Sequence, residues 1–263
     1  MEPLLQAEHI TICYHGTPVV CDVSFEIQKG EILGIVGDSG SGKSSIIKAV
    51  TGLLGNSGMV TRGDVYYKGL NVVDMPKGEL RKLLGPEIGV VFQDCKSALC
   101  PVRKVGDQIF ESMKEHRRIS RKESDCLASS IMEKIGLKDP ERVLDSYPFE
   151  LSGGMNQRVG ICIAMMQNPP LLLADEPTSA LDVTVQKQVV EELKLMRKEY
   201  GTAMIVVTHN MGVIKALADQ ALVLKEGKAV EYGEAYQILY HPKHPYTKEL
   251  MDSVLYLKRQ KQA

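Results

Sequence analysis

The sequence lacks several features that would assign it to a common class of protein. No apolar run approaches the roughly 18 residues of a transmembrane helix, and the Met1–Pro3 start does not resemble a signal peptide. The formal net charge of -1 gives no basic excess of the kind that marks nucleic-acid-binding proteins. The 6 cysteines show no C-x-x-C pair and no zinc-type spacing, which predicts reduced thiols. These absences predict a cytoplasmic globular protein that has no nucleic acid as its main partner.

A glycine-rich segment between a predicted strand and a predicted helix is the most informative part of the sequence. The segment matches the pattern G-x-x-x-x-G-K-S and is followed by Ser45. Its eight residues are Gly37, Asp38, Ser39, Gly40, Ser41, Gly42, Lys43 and Ser44. Such a loop presents backbone N–H groups to a phosphate at a helix N-terminus. Lys43 is predicted to reach the β- and γ-phosphates of a nucleotide, and the Ser44 hydroxyl to ligate the accompanying Mg²⁺. An ordinary glycine-rich turn is the structural alternative.

Two acidic residues end an apolar segment later in the chain. Leu171–Ala174 predicts a strand buried on both faces, and Asp175 and Glu176 follow at its carboxyl end. Doubly wound sheets bind ligands at that edge, so Asp175 is predicted to hold Mg²⁺ and Glu176 to orient or deprotonate an attacking water. The structural alternative is that the two acids cap the next helix.

Three further side chains have both a functional and a structural interpretation. Tyr14, on a strand before the glycine loop, either stacks on adenine or is a half-buried strand tyrosine. Gln93, after the predicted strand Glu87–Phe92, either approaches a metal or water or is a solvated strand end. His209, after the predicted strand Ala203–Thr208, either hydrogen-bonds a γ-phosphate or is structural.

A helical segment lies between the glycine loop and the two acids. Residues 101–116 and 122–135 carry apolar side chains at helical spacing, which predicts an inserted helical unit. Ser152, Gly153 and Gly154 follow at the start of another predicted helix, where they either meet an anion or form a plain N-cap.

Strands are predicted on both sides of these segments. Residues 5–14 and 19–27 are predicted strands separated by a turn at His15–Pro18, and residues 222–231 predict a hairpin. Near the end of the chain, His241 and His244 each precede a proline and cannot share one helix face, which argues against a metal site there.

Taken in order, the phosphate loop, Gln93, Leu-Ser-Gly-Gly, the two acids, Ser179–Asp182 and His209 resemble the ATP-binding-cassette (ABC) ATPases over nearly the whole chain. The resemblance implies an α/β fold: a P-loop NTPase (RecA-like) core with an N-terminal antiparallel β subdomain and an inserted α-helical subdomain. It implies one nucleotide-binding domain at residues 1–240, with the helical insertion at 94–158. Residues 241–263 form a tail that is similar to the C-terminal stretch of oligopeptide, dipeptide and nickel importers.

The resemblance also implies a role for each candidate residue. Tyr14 would stack on adenine, Gln93 would couple the metal site to the membrane, Glu176 would be the catalytic base and His209 the switch histidine. Ser152, Gly153 and Gly154 would bind the ATP of a second cassette in trans, in a head-to-tail dimer. The implied cofactors are ATP and Mg²⁺, with Ser44, Gln93 and Asp175 as the Mg²⁺ ligands.

The implied function is ATP hydrolysis that powers bacterial import of nickel, metal chelates or short peptides. The implied partners are a second, non-identical ABC ATPase subunit, two transmembrane permease subunits and an extracytoplasmic substrate-binding protein. The protein would then lie peripherally on the cytoplasmic face of the inner membrane. The absence of any cysteine after Cys162 and the end at Ala263 favour the shorter nickel or metal-chelate type. An export cassette and a soluble non-transport ABC ATPase are the alternatives.

Overall fold

The computed structural model of the protein describes residues 2–179 and 181–260. Ala180 of the predicted Ser179–Asp182 motif and residues 261–263 of the predicted tail lie outside the described residues. The strands are β1 (Leu5–Tyr14), β2 (Thr17–Ile27), β3 (Ile32–Val36), β4 (Gly58–Tyr67), β5 (Leu70–Asn71), β6 (Ile88–Val91), β7 (Leu171–Asp175), β8 (Ala203–Thr208), β9 (Gln220–Lys225) and β10 (Lys228–Glu234). The helices are α1 (Lys43–Thr51), α2 (Lys77–Leu83), α3 (Cys95–Ala98), α4 (Val105–His116), α5 (Arg121–Lys134), α6 (Pro140–Asp145), α7 (Gly153–Met165), α8 (Val183–Tyr200), α9 (Met211–Leu217), α10 (Ala235–Tyr240) and α11 (Pro245–Gln260).

The chain divides into two compact units. Residues up to Leu80, together with those from Ala203 onward, form the first unit, and Arg81–Thr202 form the second. The sequence-based boundaries, with a domain at 1–240, an insertion at 94–158 and a tail at 241–263, stay predictions.

The first unit contains an antiparallel sheet with the strand order β2-β1-β4-β5. The turn between β1 and β2 is shorter than predicted, because His15 and Gly16 have φ angles of 49° and 78° and close a two-residue hairpin by themselves. Thr17 and Pro18 therefore belong to β2, where Pro18 lies opposite Cys13. Proline is tolerated there because β2 is an edge strand, where a missing N–H need not cost a ladder bond.

The second sheet of the first unit positions the glycine loop. Its strands run in the order β10-β9-β3-β8, and β3 is parallel to both β8 and β9. Every residue of β3 and of β8 is buried, as expected for apolar parallel strands covered on both faces. The predicted strand Ala203–Thr208 and the predicted hairpin at residues 222–231 are confirmed. The loop therefore leaves the sheet from the end of a rigid, central strand.

The second unit contains the predicted helical segment. The two helices predicted there are confirmed as α4 and α5, and α5 starts at Arg121 because Ser120 and Glu123 form a capping box. Strands β6 and β7 of this unit are parallel, with Val91 in register with Ala174. The short helices α2 and α3 were not predicted, since seven and four residues are too few to establish a helical period.

The segment around Tyr246 packs within the first unit. Tyr246, at the start of α11, is 5% exposed and belongs to the same apolar cluster as Val36 of β3. The segment that leads into α11 is held by the carboxylate of Glu231, which accepts hydrogen bonds from the backbone N–H groups of Lys243 and His244. The residues around the His-Pro-Tyr motif are therefore part of the first unit's core packing.

Candidate functional site

The glycine loop connects β3 to α1 and wraps around the ammonium group of Lys43. Lys43 Nζ donates to the carbonyl oxygens of Gly37 at 2.8 Å and Asp38 at 2.6 Å, and Ser41 Oγ lies 3.4 Å from it. The side chain is buried within the loop that it contacts. The loop amides, the dipole of α1 and the ammonium group all favour negative charge, so this arrangement is suited to an anion.

Two glycines of the loop have left-handed backbone conformations but very different surroundings. Gly42 is the N-cap of α1 with a φ of 97°, and a Cβ there would lie 2.6 Å from the carbonyl oxygen of Val19. Gly40 has a φ of 83°, and a Cβ there would meet nothing within 4 Å. Gly42 thus allows close backbone packing, whereas Gly40 borders open space.

This difference leads to a prediction about the loop. We expect Gly40→Ala to cost about 1 kcal/mol of unfolding free energy, because it only forces alanine into a left-handed conformation. Gly42→Ala should cost about 2 kcal/mol more, since it also drives a methyl group into backbone atoms. Urea denaturation of the two nucleotide-free variants measures both values. Equal losses would show that the approach to Val19 imposes no additional constraint.

His209 lies at the same sheet edge as the glycine loop. Strands β3 and β8 are parallel and Val36 is in register with Thr208, so Gly37 and His209 are the next residues beyond the two strand ends. His209 is exposed. The structure thus brings His209 and the start of the phosphate loop to one edge of the sheet.

Tyr14 ends β1 and is half-buried. It pairs with Gly58 across the sheet, and a Cβ on Gly58 would lie 2.6 Å from Tyr14 Cε1. The ring therefore packs directly over a residue without a side chain. This contact fits the strand-tyrosine interpretation, and the adenine-stacking role stays a prediction.

Gln93, Asp175 and Glu176 lie at corresponding ends of two parallel strands in the second unit. Because Val91 is in register with Ala174, Gln93 and Glu176 are each two residues beyond a paired position. Gln93 is exposed, Asp175 is half-buried and Glu176 is 8% exposed. Glu176 also has a φ of 48°, a costly conformation for a non-glycine residue. The buried, constrained carboxylate at a strand end is suited to hold a fixed orientation.

The Ser152–Gly154 segment lies at the start of α7. Ser152 is the N-cap of α7, and its Oγ accepts a hydrogen bond from the backbone N–H of Met155. Gly153 is exposed, whereas a Cβ on Gly154 would lie 2.8 Å from Val185 Cγ1 of α8. Gly154 thus permits close packing of α7 against α8, while Ser152 and Gly153 face solvent.

The sequence interpretation missed Asn156, the residue that holds the signature loop in shape. Its buried side-chain amide donates to the carbonyl oxygens of Pro148, Leu151 and Ser152, at 2.9, 3.2 and 3.2 Å. These bonds join the turn before α7 to the first residues of the helix, in addition to the backbone bonds that Pro148 and Ser152 already accept. A lone asparagine after Gly-Gly carries no sequence pattern that would reveal this role.

A buried ion pair connects α7 to α8. Arg158 Nε lies 2.6 Å from Glu192 Oε1, with the two side chains 14% and 6% exposed. Burial raises the pKa of Glu192 to about 7, and the Arg158 charge opposes that rise. The pair is specific to the packing of these two helices, and its spacing in the sequence does not predict it.

A known protein family matches the part of the chain that contains these segments. The family described as "ABC transporter" matches residues 20–179, which is more than half of the sequence and includes the glycine loop, Ser152 and both acids. The chain belongs to the ABC transporter family. The region described as "Oligopeptide/dipeptide transporter, C-terminal region" matches residues 230–263. The chain is therefore an ABC ATPase that binds ATP.

Curated relatives of this ABC ATPase are ATP-binding subunits of peptide and metal-chelate transport systems. It is 39% identical to the oligopeptide transport ATP-binding protein OppD of Haemophilus influenzae, over 97% of this chain and 80% of that protein. It is 40% identical to the metal-staphylopine import system ATP-binding protein CntD of Staphylococcus aureus, over 95% of this chain and 93% of that protein. These relatives do not favour the export or soluble alternatives.

Solved structures confirm the predicted fold class. The ATP-binding cassette MJ0796, in a dimeric post-hydrolysis state bound to ADP and phosphate, has a TM-score of 0.77 and 29% identity, covering 88% of this chain and 98% of that one. The cassette cbiO1 from Clostridium perfringens, part of the transporter complex cbiONQ, has a TM-score of 0.77 and 25% identity, covering 98% of this chain and 97% of that one. Among the described residues of this ABC ATPase, no helix is long and apolar enough to cross a membrane.

Proposed function

We propose that this ABC ATPase is the ATP-hydrolysing subunit of a bacterial importer of nickel, metal chelates or short peptides. The observation that carries the proposal is the match of residues 230–263 to the C-terminal region of oligopeptide and dipeptide transporters. Relatives named for oligopeptide transport and for metal-staphylopine import agree with both cargo classes. Cargo selection would reside in other subunits, because fold kinship alone does not determine the transported molecule.

The three candidate Mg²⁺ ligands have side chains that suit this ion. Ser44, in the first turn of α1, and Asp175, at the end of β7, are half-buried, and Gln93 is exposed after β6. A hydroxyl, a carboxylate and an amide carbonyl are the oxygen donors that Mg²⁺ prefers. We propose these three residues as its ligands. When bound, the ion would offset the negative charge of the phosphates.

We propose a part in hydrolysis for each remaining site residue. The amides of Gly37–Ser45 and the ammonium of Lys43 bind the phosphates, and the ring of Tyr14 contacts adenine. Glu176 orients the attacking water and accepts its proton, which a carboxylate held in one buried conformation does without reorganising. His209 donates a hydrogen bond to the γ-phosphate. The register that places His209 beside the loop supports its part.

The exposed start of α7 supports a role in trans. Ser152 and Gly153 face solvent at the N-terminus of a 13-residue helix, where a second cassette can present its ATP. We propose a head-to-tail dimer with a second, non-identical ABC ATPase. The related cassette MJ0796 was solved as a dimer.

The remaining proposed partners belong to the membrane. Two transmembrane permease subunits would carry the cargo, and an extracytoplasmic binding protein would deliver it. The chain would attach peripherally at the cytoplasmic face of the inner membrane, with Gln93 and its exposed neighbour Phe92 near the permease. His244 has a structural function in the tail, since its Nδ1 accepts a hydrogen bond from the backbone N–H of Tyr246.

Uptake measurements in cells test the proposal. Cells that depend on this chain would express either the native protein or Glu176→Gln, and uptake of radioactive nickel, free and chelated, and of a labelled short peptide would be compared. We expect the variant to abolish uptake of one cargo class. Glu191→Gln is the matched control, because Glu191 is an exposed residue of α8. If neither uptake changes, the chain does not power either import.

A further inference from the structure

A tyrosine from the C-terminal segment contacts the phosphate loop. The backbone N–H of Asp38 donates a hydrogen bond of 2.9 Å to Tyr246 Oη, across 208 residues of sequence. The carbonyl oxygen of the same Asp38 accepts the 2.6 Å hydrogen bond from Lys43 Nζ. The two peptide groups that flank the Asp38 Cα are therefore held from different directions, one by Tyr246 and the other by Lys43.

The surroundings of Tyr246 keep its hydroxyl in place. The side chain is 5% exposed and packs in a cluster with Val36 and Met211, and Lys225 Nζ lies 4.8 Å from the centre of its ring. The backbone before it is held by Glu231 and the backbone N–H of Tyr246 by His244. Burial, together with the smaller effect of the Asp38 side chain, raises the pKa of Tyr246 to about 12, so the hydroxyl stays protonated at neutral pH.

We propose that Tyr246 is a positioning residue of the nucleotide site, through which the C-terminal segment orders the start of the phosphate loop. This inference rests on the proposed binding of ATP by Gly37–Ser45. A loop whose first turn is already ordered loses less conformational entropy when phosphates bind, which increases affinity without any new contact to the nucleotide. The side chain of Tyr246 does not itself need to touch ATP.

The chain offers a matched control for this hydrogen bond. Tyr232 Oη accepts from the backbone N–H of Glu26 at 3.2 Å and donates to the carbonyl oxygen of Glu26 at 3.1 Å. It lies in the same unit and also joins a tyrosine hydroxyl to backbone, but Glu26 belongs to β2 and not to the phosphate loop. Tyr232→Phe deletes these two bonds to β2, whereas Tyr246→Phe deletes the bond to the phosphate loop.

The test compares Tyr246→Phe and Tyr232→Phe in the full chain. The Kd for ATP, with magnesium present, is measured by titration calorimetry, and exchange of the Asp38 amide proton by NMR without nucleotide. Tyr246→Phe keeps the ring in its cluster, and we expect the Kd to rise about 3- to 10-fold, as for one lost hydrogen bond. The Asp38 amide should exchange about tenfold faster in Tyr246→Phe because it has lost its acceptor. Tyr232→Phe should leave both values within about twofold of the native protein.

Each other outcome identifies a different failure. If the native chain binds ATP and Tyr246→Phe binds it equally well, the positioning role is wrong and the proposed function stands. If both tyrosine variants lose affinity equally, the effect is a general loss of stability, which also overturns the inference. If the native chain does not bind ATP, the proposed function itself is wrong.

Discussion

ATP turnover is expected to fall about 10²- to 10⁴-fold when Glu176 is replaced by glutamine. The amide has nearly the same shape as the carboxylate but cannot accept a proton from water. Glu176 is buried just after β7, and its backbone has a left-handed conformation. The glutamine should therefore occupy the same place as the glutamate without supplying its base. The measurement is phosphate release by the assembled transporter at saturating ATP.

The control for this experiment separates chemistry from binding. The Kd for ATP should change by no more than about twofold in Glu176→Gln, since the variant leaves the phosphate loop intact. Glu191→Gln, on the exposed surface of α8, should hydrolyse ATP at the native rate. A Glu176→Gln transporter with more than about a tenth of native turnover would contradict the assignment of Glu176 as the base.

The second large effect is expected in nucleotide binding. Lys43→Ala should weaken ATP binding by about 10²- to 10⁴-fold, because charged hydrogen bonds contribute about 1.5–3 kcal/mol each and Lys43 is predicted to make two to the phosphates. The native ammonium already lies within the loop, 2.8 Å from the carbonyl oxygen of Gly37. Titration calorimetry with ATP and magnesium on the full chain gives the change in Kd.

A lysine on the same helix provides the comparison. Lys48 lies in the last turn of α1 and is exposed, so Lys48→Ala removes an equal charge from a position that faces solvent. Its Kd should remain within about twofold of the native value, since screened surface charges contribute little. Similar losses in both variants would mean that general electrostatic attraction, and not the Lys43 contact, controls ATP affinity.

Much of the site was predictable because its residues are close together in sequence. The phosphate loop, the two acids after Leu171–Ala174 and His209 after Ala203–Thr208 each directly follow a strand or join a strand to a helix. Parallel strands place their carboxyl ends at one edge of a sheet, so local patterns were enough to propose these residues. The family match agrees with that interpretation over residues 20–179, and the individual roles remain predictions for the experiments above.

Other features could not be predicted from local sequence patterns. The turn after β1 was predicted too long, because left-handed φ angles at both His15 and Gly16 close the hairpin in two residues. The role of Asn156 depends on three carbonyl oxygens that the folded loop turns toward it. Neither the backbone angles nor the direction of those carbonyls follows from residue type alone.

By itself, the sequence predicted the longer strands and helices and the phosphate loop. These depend on interactions within a few residues, and the motifs, taken in order, resemble those of an ABC ATPase. Only the tertiary structure decided which distant residues support the site. The Asp38–Tyr246 hydrogen bond spans 208 residues and the Arg158–Glu192 pair joins two separate helices. Such contacts exist only after the core has packed, because burial, and not sequence neighbourhood, brings their atoms within bonding distance.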